Sequence, residues 1–560
     1  MSLVRGRLIQ MLSGAILPLL HSEAEVSSND FSIELEIPSV PQHGDYATNV
    51  ALGLTRRLRR NPREIASEIV GNIKDCQQII QRTEIAGPGF INFFIQPTAW
   101  HDVLLEILSS PAAYGRQDLG KGKSVQVEFV SANPTGPLHI GHGRGAATGD
   151  VLANILGACG YRVEREYYIN DAGNQMDTLG KSLFYRYREL LGEEIEFPDG
   201  LYRGDYMLDL ARDFLEQSGK QYQNSSIEEV LPVFARFAGS RILDGIKDDL
   251  DSFGVHFDNW FSEQTLHDAD GICGTIEALE AAGYVYESDS ARWFRSTAFG
   301  DEKDRVVIRS NGVSTYFASD LAYHRNKFER GFDTVIDIWG ADHHGYVERM
   351  LAGAQALGRK RDDLRIILVQ LVNLLRAGRP VAMSTRAGEF VTLREVIDEV
   401  GRDAARYLFL TRRTDSPLDF DLDIAKSQSN DNPVYYVQYA HARLCSLFEV
   451  AEERGVEYFR PNGANAAILK HLTLPEELNI IRLLGEYPQV LARCAVALEP
   501  HIVPYYLQEL VSLFHSYYNH NRILGEDAEL AEARLALADA VRTVIHNAMG
   551  LLGVSAPERM

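Results

Sequence analysis

Residues 124–169 read SVQVEFVSANPTGPLHIGHGRGAATGDVLANILGACGYRVEREYYI, and this stretch decides the fold. Val125, Val127 and Phe129 alternate with Gln126, Glu128 and Val130 as a strand requires. A glycine-rich turn, a helical segment and a second strand, RVEREYYI, follow, which is the βαβ unit of a parallel sheet. The turn from a parallel strand into a helix is where nucleotide phosphates bind, because free backbone N–H groups and the positive helix end face the ligand. His139 and His142 stand at that turn, where two imidazole donors can hold phosphates and stabilise charge developing on an attacked phosphorus. Gly141, Gly143 and Gly145 suit a close approach of ligand to backbone. By itself a His-x-x-His pair fits two core histidines equally well.

Outward from this unit, the apolar runs TVIDIWG (334–340) and RIILVQLV (365–372) flank the helical YVERMLAGAQALG, a second unit of the same kind. The expected fold is therefore multidomain α/β: a Rossmann-like parallel-sheet domain at 120–424, split by an insertion around 185–310. The joint YGRQDLGKGKS separates it from a small α/β domain at 1–115, in which the turn of EIAGPGFINFFI leads into an aromatic strand. From 425 to 560 only helix-period segments remain, so an all-helical bundle is expected there.

The 560 residues include 56 Lys and Arg against 78 Asp and Glu, a formal charge of −22. That balance argues against binding nucleic acid over the whole surface and leaves local patches for it. Arg56, Arg57, Arg59, Arg60 and Arg63 form one, and Arg376, Arg379, Arg386, Arg394 and Arg402 another, although either equally describes a solvated helix face. The five scattered cysteines point to a reducing cytoplasm and no structural metal. No stretch approaches the roughly 18 uncharged apolar residues that cross a bilayer, and the N-terminus reads as an amphipathic first helix.

The segment PLHIGHGR resembles the HIGH signature of class I aminoacyl-tRNA synthetases; a shorter HxGH form occurs in nucleotidylyltransferases. Beyond it, VEFVSANPTGPLHIGHGR, YYINDAGNQ, DSFGVHFDNWFSE, TYFASDLAYH, WGADHHGYVERM and AMSTRAGEFVTL resemble arginyl-tRNA synthetases over nearly the whole chain. The resemblance implies ATP-dependent conversion of L-arginine to arginyl-adenylate, release of pyrophosphate and transfer to the 3′ end of tRNA-Arg. It implies ATP as substrate with Mg2+, and a cytoplasmic monomer without membrane contact. His139 and His142 become the catalytic residues; Pro137, Gly141, Asp342, Met383, Ser384 and Arg386 join them in binding ATP. Glu128, Asn133, Tyr316, Asp320 and His344 are the arginine-binding candidates, and Arg56, Arg57, Arg59 and Arg60 meet the tRNA elbow.

A guanidinium is planar, permanently charged and rich in donors, so carboxylates such as Asp320 and Glu128 suit it. Tyr316 and Asp320, four apart at a helix start after Thr315, share one face. Tyr435, Tyr436, Tyr439, Tyr517 and Tyr518 are available for stacking on anticodon bases. Two features depart from the family. The second signature, KMSKS, reads Ala382-Met383-Ser384-Thr385-Arg386, so Arg386, with Arg379 or Arg376, would supply the cation for pyrophosphate. His344 stands where relatives carry glutamine, and Gly136 where some carry a compensating lysine. A nucleotidylyltransferase would leave the helical last quarter without a task. A synthetase for cysteine would need zinc ligands, and a non-catalytic RNA-binding protein would not need both histidines.

Overall fold

The computed structural model describes residues 3–20, 33–38, 40–76, 78–381, 391–462 and 465–560. Helix α1 (Leu3–Leu20) buries Val4, Leu8, Leu12 and Ile16 at helical spacing. By length and composition it is long and apolar enough to cross a bilayer, although Arg5 and Arg7 break the uncharged apolar run that the sequence reading looked for. Its apolar stripe is instead spent on the protein core, and its arginines are tethered, Arg5 to Glu486 and Arg7 to Asp102 at 2.8 Å.

In the N-terminal domain, β1 (Tyr46–Thr48), α2 (Val50–Leu58), α3 (Pro62–Asn72), β2 (Ile80–Ala86) and β3 (Phe90–Ile95) form an antiparallel sheet in the order β1-β3-β2, covered by helices. The Gly-Pro-Gly turn joins β2 to the aromatic strand β3 that it was expected to lead into. Gly89 is required there: its φ is +143°, and a Cβ would lie 3.0 Å from the Pro62 backbone. Helix α4 (Pro97–Ser109) then runs onto the C-terminal bundle.

The catalytic core follows, with β4 (Ser124–Glu128), α5 (Ile140–Ala158) and β5 (Arg162–Ile169). Next come α6 (Asn174–Leu190), α7 (Asp205–Ser218), α8 (Ile227–Ser252) and β6 (Asn259–Ser262). After α9 (Gln264–Asp268) and α10 (Gly271–Ala281), strands β7 (Val285–Ser288), β8 (Ala291–Phe294) and β9 (Arg305–Ile308) make a small antiparallel sheet. Helix α11 (Tyr316–Glu329), β10 (Thr334–Gly340), α12 (Val347–Ala356) and β11 (Leu364–Val369) complete the core.

The main sheet runs β11-β10-β4-β5-β6, with every pairing parallel. Strand β6 lies inside the range 185–310 yet pairs with β5, so that range is not all insertion. Four residues carry too little periodicity to announce a strand. The chain leaves β4 toward β5 on one side and leaves β10 toward β11 on the other. The crevice between the carboxyl ends of β4 and β10 is therefore the topological switch point, where open α/β sheets bind ligands.

A second small sheet holds β12 (Val372–Arg376), β13 (Arg379–Pro380) and, after α13 (Leu393–Val400) and α14 (Arg402–Phe409), β14 (Leu418–Asp421). Helix α15 (Leu422–Lys426) leads into the bundle of α16 (Pro433–Glu453), α17 (Pro475–Ala497), α18 (Ile502–His520) and α19 (Ala528–Leu552). The fully buried Arg406 ties bundle to core, contacting Asp150 of α5 at 2.5 Å, the Leu552 carbonyl at 3.0 Å and the Phe253 carbonyl at 3.0 Å. Breaking one side of the buried Arg406–Asp150 pair costs roughly 3–5 kcal/mol.

Candidate active site

His139 is the N-cap of α5. Its Nδ1 accepts from the Gly141 N–H at 3.1 Å, while the His139 N–H donates to His142 Nδ1 at 3.2 Å. The rings stack with centroids 3.6 Å apart. Because both Nδ1 atoms accept, each ring carries its proton on Nε2. Burial, reinforced by its neighbour, lowers His142 to about 3, and burial also lowers His139, so both are neutral donors at neutral pH. The glycines divide by role. Gly143 admits Leu393 and Phe409, whose atoms would lie 2.6 and 3.0 Å from a Cβ, and so serves packing rather than ligand approach; Gly145 has open space.

Between β4 and this turn the backbone is strained: Val130 has φ 68° and Ser131 φ 41°. The turn is held by Ser131 Oγ, which donates to Glu128 Oε1 at 2.8 Å and accepts from the Tyr168 N–H at 3.1 Å. It brings Asn133, exposed, to the mouth of the crevice; half-buried Pro137 leads into the histidines.

Tyr316 and Asp320 lie on α11, whose N-cap is Thr315. Tyr316 is 60% exposed, which leaves its ring and hydroxyl accessible to a ligand. Asp320 accepts from Tyr346 Oη at 2.5 Å; burial, with Glu263 and Glu128 nearby, raises its carboxyl to about 6. Glu263, directly after β6, is buried and likewise raised by burial, with Tyr168 and His267 as partners. Neither carboxylate is paired with Lys or Arg among the described residues. Sequence reasoning missed Glu263, because only the parallel pairing of β5 with β6 brings it near a helix more than 50 residues later.

Glu128 differs. Its Oε2 accepts from fully buried Lys327, which also donates to Asp337 at 2.8 Å, and Asp337 bonds His324 Nε2 at 2.7 Å. Burial raises Glu128, whereas Lys327 and His324 outweigh burial at Asp337 and hold it at about 2. Asp342 and His344 sit beyond β10, both exposed, with His344 Nδ1 3.3 Å from the Ala341 carbonyl. The Asp342 carboxylate is close enough to His139 to act on its ionisation.

Met383, Ser384 and Arg386, with the rest of 382–390, lie outside the described residues. The flanks are anchored: Val381 N–H donates to the Leu374 carbonyl at 2.8 Å, and Leu393 N–H donates to the Leu138 carbonyl at 2.8 Å beside a His139–Thr392 bridge. Arg376 is gripped by Glu399 at 2.8 Å through both guanidinium nitrogens, which takes up the charge expected to serve pyrophosphate; Arg379 is exposed.

Two faces suit RNA. Arg56 and Arg57 end α2, Arg59 caps it in the left-handed conformation, and Arg60 pairs with Glu68 at 2.7 Å. In the bundle, a cavity of about 520 Å3 is lined by Arg443, Arg454, Arg522, Tyr518 and His520, with no carboxylate in its wall. The Arg443 guanidinium lies 4.3 Å over the Tyr518 ring, and Tyr435 and Tyr439 stack 6.1 Å apart beside it. Tyr517 is instead core, donating to Glu477 at 3.0 Å, and Tyr436 packs on His515.

A five-stranded parallel sheet whose switch point carries a His-Ile-Gly-His turn, followed by a helical bundle, defines a class I aminoacyl-tRNA synthetase. Family models match along the chain: arginyl-tRNA synthetase N-terminal domain at 6–95, class I (R) tRNA synthetase catalytic domain at 103–425, and DALR anticodon-binding domain at 437–560. The arginine–tRNA ligase of Syntrophotalea carbinolica is 57% identical over 557 residues, covering 100% of both chains, and that of Desulforamulus reducens is 50% identical over 526 residues, covering 94% and 93%. A putative arginyl-tRNA synthetase structure from Campylobacter jejuni superposes with a TM-score of 0.75 at 36% identity, covering 83% of this chain and 100% of that one. The Thermus thermophilus enzyme, 22% identical, shares the fold with a TM-score of 0.77 over 99% of this chain and 100% of its own. The chain belongs to the arginyl-tRNA synthetase family: it activates L-arginine with ATP, releases pyrophosphate and transfers the arginyl group to tRNA-Arg.

Proposed function

We propose that the switch-point crevice performs this reaction with the following division of labour. Asp320 and Glu263 accept the guanidinium, Tyr316 closes over it, and Asn133 with His344 takes the α-amino group. The arginine carboxylate oxygen attacks the α-phosphorus of ATP, the bond to pyrophosphate breaks, and arginyl-adenylate forms. His139 and His142 donate from Nε2 to phosphate oxygens, a preset electrostatic contribution that needs no proton transfer. Asp342 holds the ribose, Pro137 and Gly141 line the nucleotide, and Met383, Ser384 and Arg386 attend the departing pyrophosphate. A ribose hydroxyl at the tRNA 3′ end then attacks the arginyl carbonyl carbon and AMP leaves.

Mg2+ arrives with ATP as part of the substrate. The division at 1–115, 120–424 and 425–560 assigns the tRNA elbow, the chemistry and the anticodon to successive domains. We read the enzyme as a cytoplasmic monomer, and its free cysteines suit that compartment.

One observation carries the arginine assignment: two neighbouring buried carboxylates, Asp320 and Glu263, have no Lys or Arg partner among the described residues, and Glu128 at the end of β4 acts on Asp320. His142→Ala tests the catalytic assignment. Arginylation kcat should fall about 10²–10³-fold with little change in arginine KM; a folded variant with near-normal kcat would remove the histidine from the chemistry.

A further inference from the structure

Beneath the arginine pocket lies a closed charge cluster with no assigned part in the reaction. Lys327, from the last turn of α11, reaches under the sheet ends and is 0% exposed. Its ammonium bonds Glu128 at the end of β4 and Asp337 in β10, and lies 4.3 Å from the Tyr323 ring centroid. Asp337 is completed by His324, whose Nδ1 meets the Asp320 carbonyl at 2.8 Å. Glu166, the next carboxylate along the sheet, is already matched by Arg330 and Tyr323.

An ammonium removed from water is retained only where its charge is matched, and here two carboxylates match it. One consequence is geometric. With Oε2 committed to Lys327, Glu128 offers Oε1 to Ser131, the residue that holds the strained Val130–Ser131 turn below Asn133. Another is electrostatic. Glu128 acts on Asp320, so an uncompensated Glu128 would make it harder for Asp320 to ionise.

We propose that Lys327 is a positioning residue of the arginine site: it neutralises Glu128, locks it onto Ser131, and so leaves Asp320 and Glu263 as the carboxylates that read the substrate cation. The inference rests on the arginine pocket proposed above. Groups facing Asp320 that enter its titration are Tyr346, His324, Glu263 and Glu128.

The test measures arginine KM and kcat across pH 5.5–8.5 for wild type, Lys327→Met, Lys327→Met with Glu128→Gln, and Asp320→Asn, with folding followed by thermal melting. Lys327→Met should raise arginine KM about tenfold or more and move the midpoint of its pH dependence upward. Adding Glu128→Gln removes the charge left behind and should bring KM and midpoint back to within about threefold and half a pH unit of wild type. A role confined to stability would lower the melting temperature and leave KM and midpoint in place, and that result overturns the proposal. Should Lys327→Met not fold, the double variant decides alone: a folded enzyme with near-normal arginine KM supports the proposal, and one that stays more than tenfold weaker, or does not fold, overturns it. If Asp320→Asn leaves arginine KM unchanged, the pocket reading itself fails; if Asp320→Asn weakens arginine while both Lys327 variants bind normally, only the Lys327 inference fails.

Discussion

Two pockets of this enzyme have opposite chemistry, although both are cut from a chain that carries 22 more acidic than basic residues. At the switch point, Asp320 and Glu263 have no Lys or Arg partner among the described residues, and the nearby ammonium of Lys327 is spent on Glu128 and Asp337. In the C-terminal bundle, Arg443, Arg454 and Arg522 surround a cavity whose wall holds no carboxylate. Net charge therefore says little about either site. On the proposed reading what matters is the local sorting: acids gathered to receive a guanidinium, and guanidinium groups gathered beside aromatic rings to receive RNA. The acidic remainder disfavours nonspecific RNA contact.

The largest effect expected from this contrast is at the acidic pocket. Asp320→Asn removes a charged acceptor worth about 3 kcal/mol, so arginine KM should rise on the order of 100-fold while tRNA KM stays put. At the basic pocket the dependence should reverse. Arg443→Ala removes one charge and the partner of the Tyr518 ring, and should raise tRNA KM about tenfold without altering arginine KM in steady-state arginylation. A parallel rise in both constants for either variant would break the sorting.

The pH profile sharpens the same contrast. Asp320 must be ionised to accept the guanidinium, and in the free enzyme it titrates near 6. Arginine KM should therefore rise as pH falls below about 6, approaching tenfold per unit, while kcat at saturating arginine changes less. His142, lowered to about 3 by burial, contributes none of this, and burial also lowers His139 from the usual imidazole range. The smallest effect is expected at the N-terminal patch. Arg57→Glu with Arg60→Glu should raise tRNA KM about threefold to tenfold and flatten its salt dependence.

The parts that could be read from sequence are those with local periodicity or a local motif. Strand β4, the His-x-x-His turn, α5 and β5 follow one another without a gap, and each declares itself within about ten residues. The four bundle helices are long enough to show their period. What escaped depends on topology. Glu263 joins Asp320 only because β6 pairs with β5, and Lys327 reaches Glu128 across 199 residues of chain. Glu128 looked like a direct guanidinium ligand because its ammonium partner is invisible to local pattern. Arg376 looked available for pyrophosphate for the same reason, Glu399 being 23 residues away. Gly143 looked like a ligand-facing glycine, yet Leu393 and Phe409 need its space. Tyr517 and Tyr518 are adjacent in sequence, but only their packing separates a core hydroxyl from a ring beside the basic cavity.

The central claim is that uncompensated carboxylates at Asp320 and Glu263 select the amino acid by its charge. Citrulline, which keeps the shape of arginine and lacks its charge, tests this most directly. The measurement is competition between citrulline and arginine for wild type and for Asp320→Asn, read as the ratio of their dissociation constants in the presence of tRNA. Wild type should prefer arginine by roughly 10³-fold or more, and Asp320→Asn should lose at least tenfold of that ratio, chiefly through weaker arginine binding. An unchanged ratio in a folded Asp320→Asn enzyme would contradict the account.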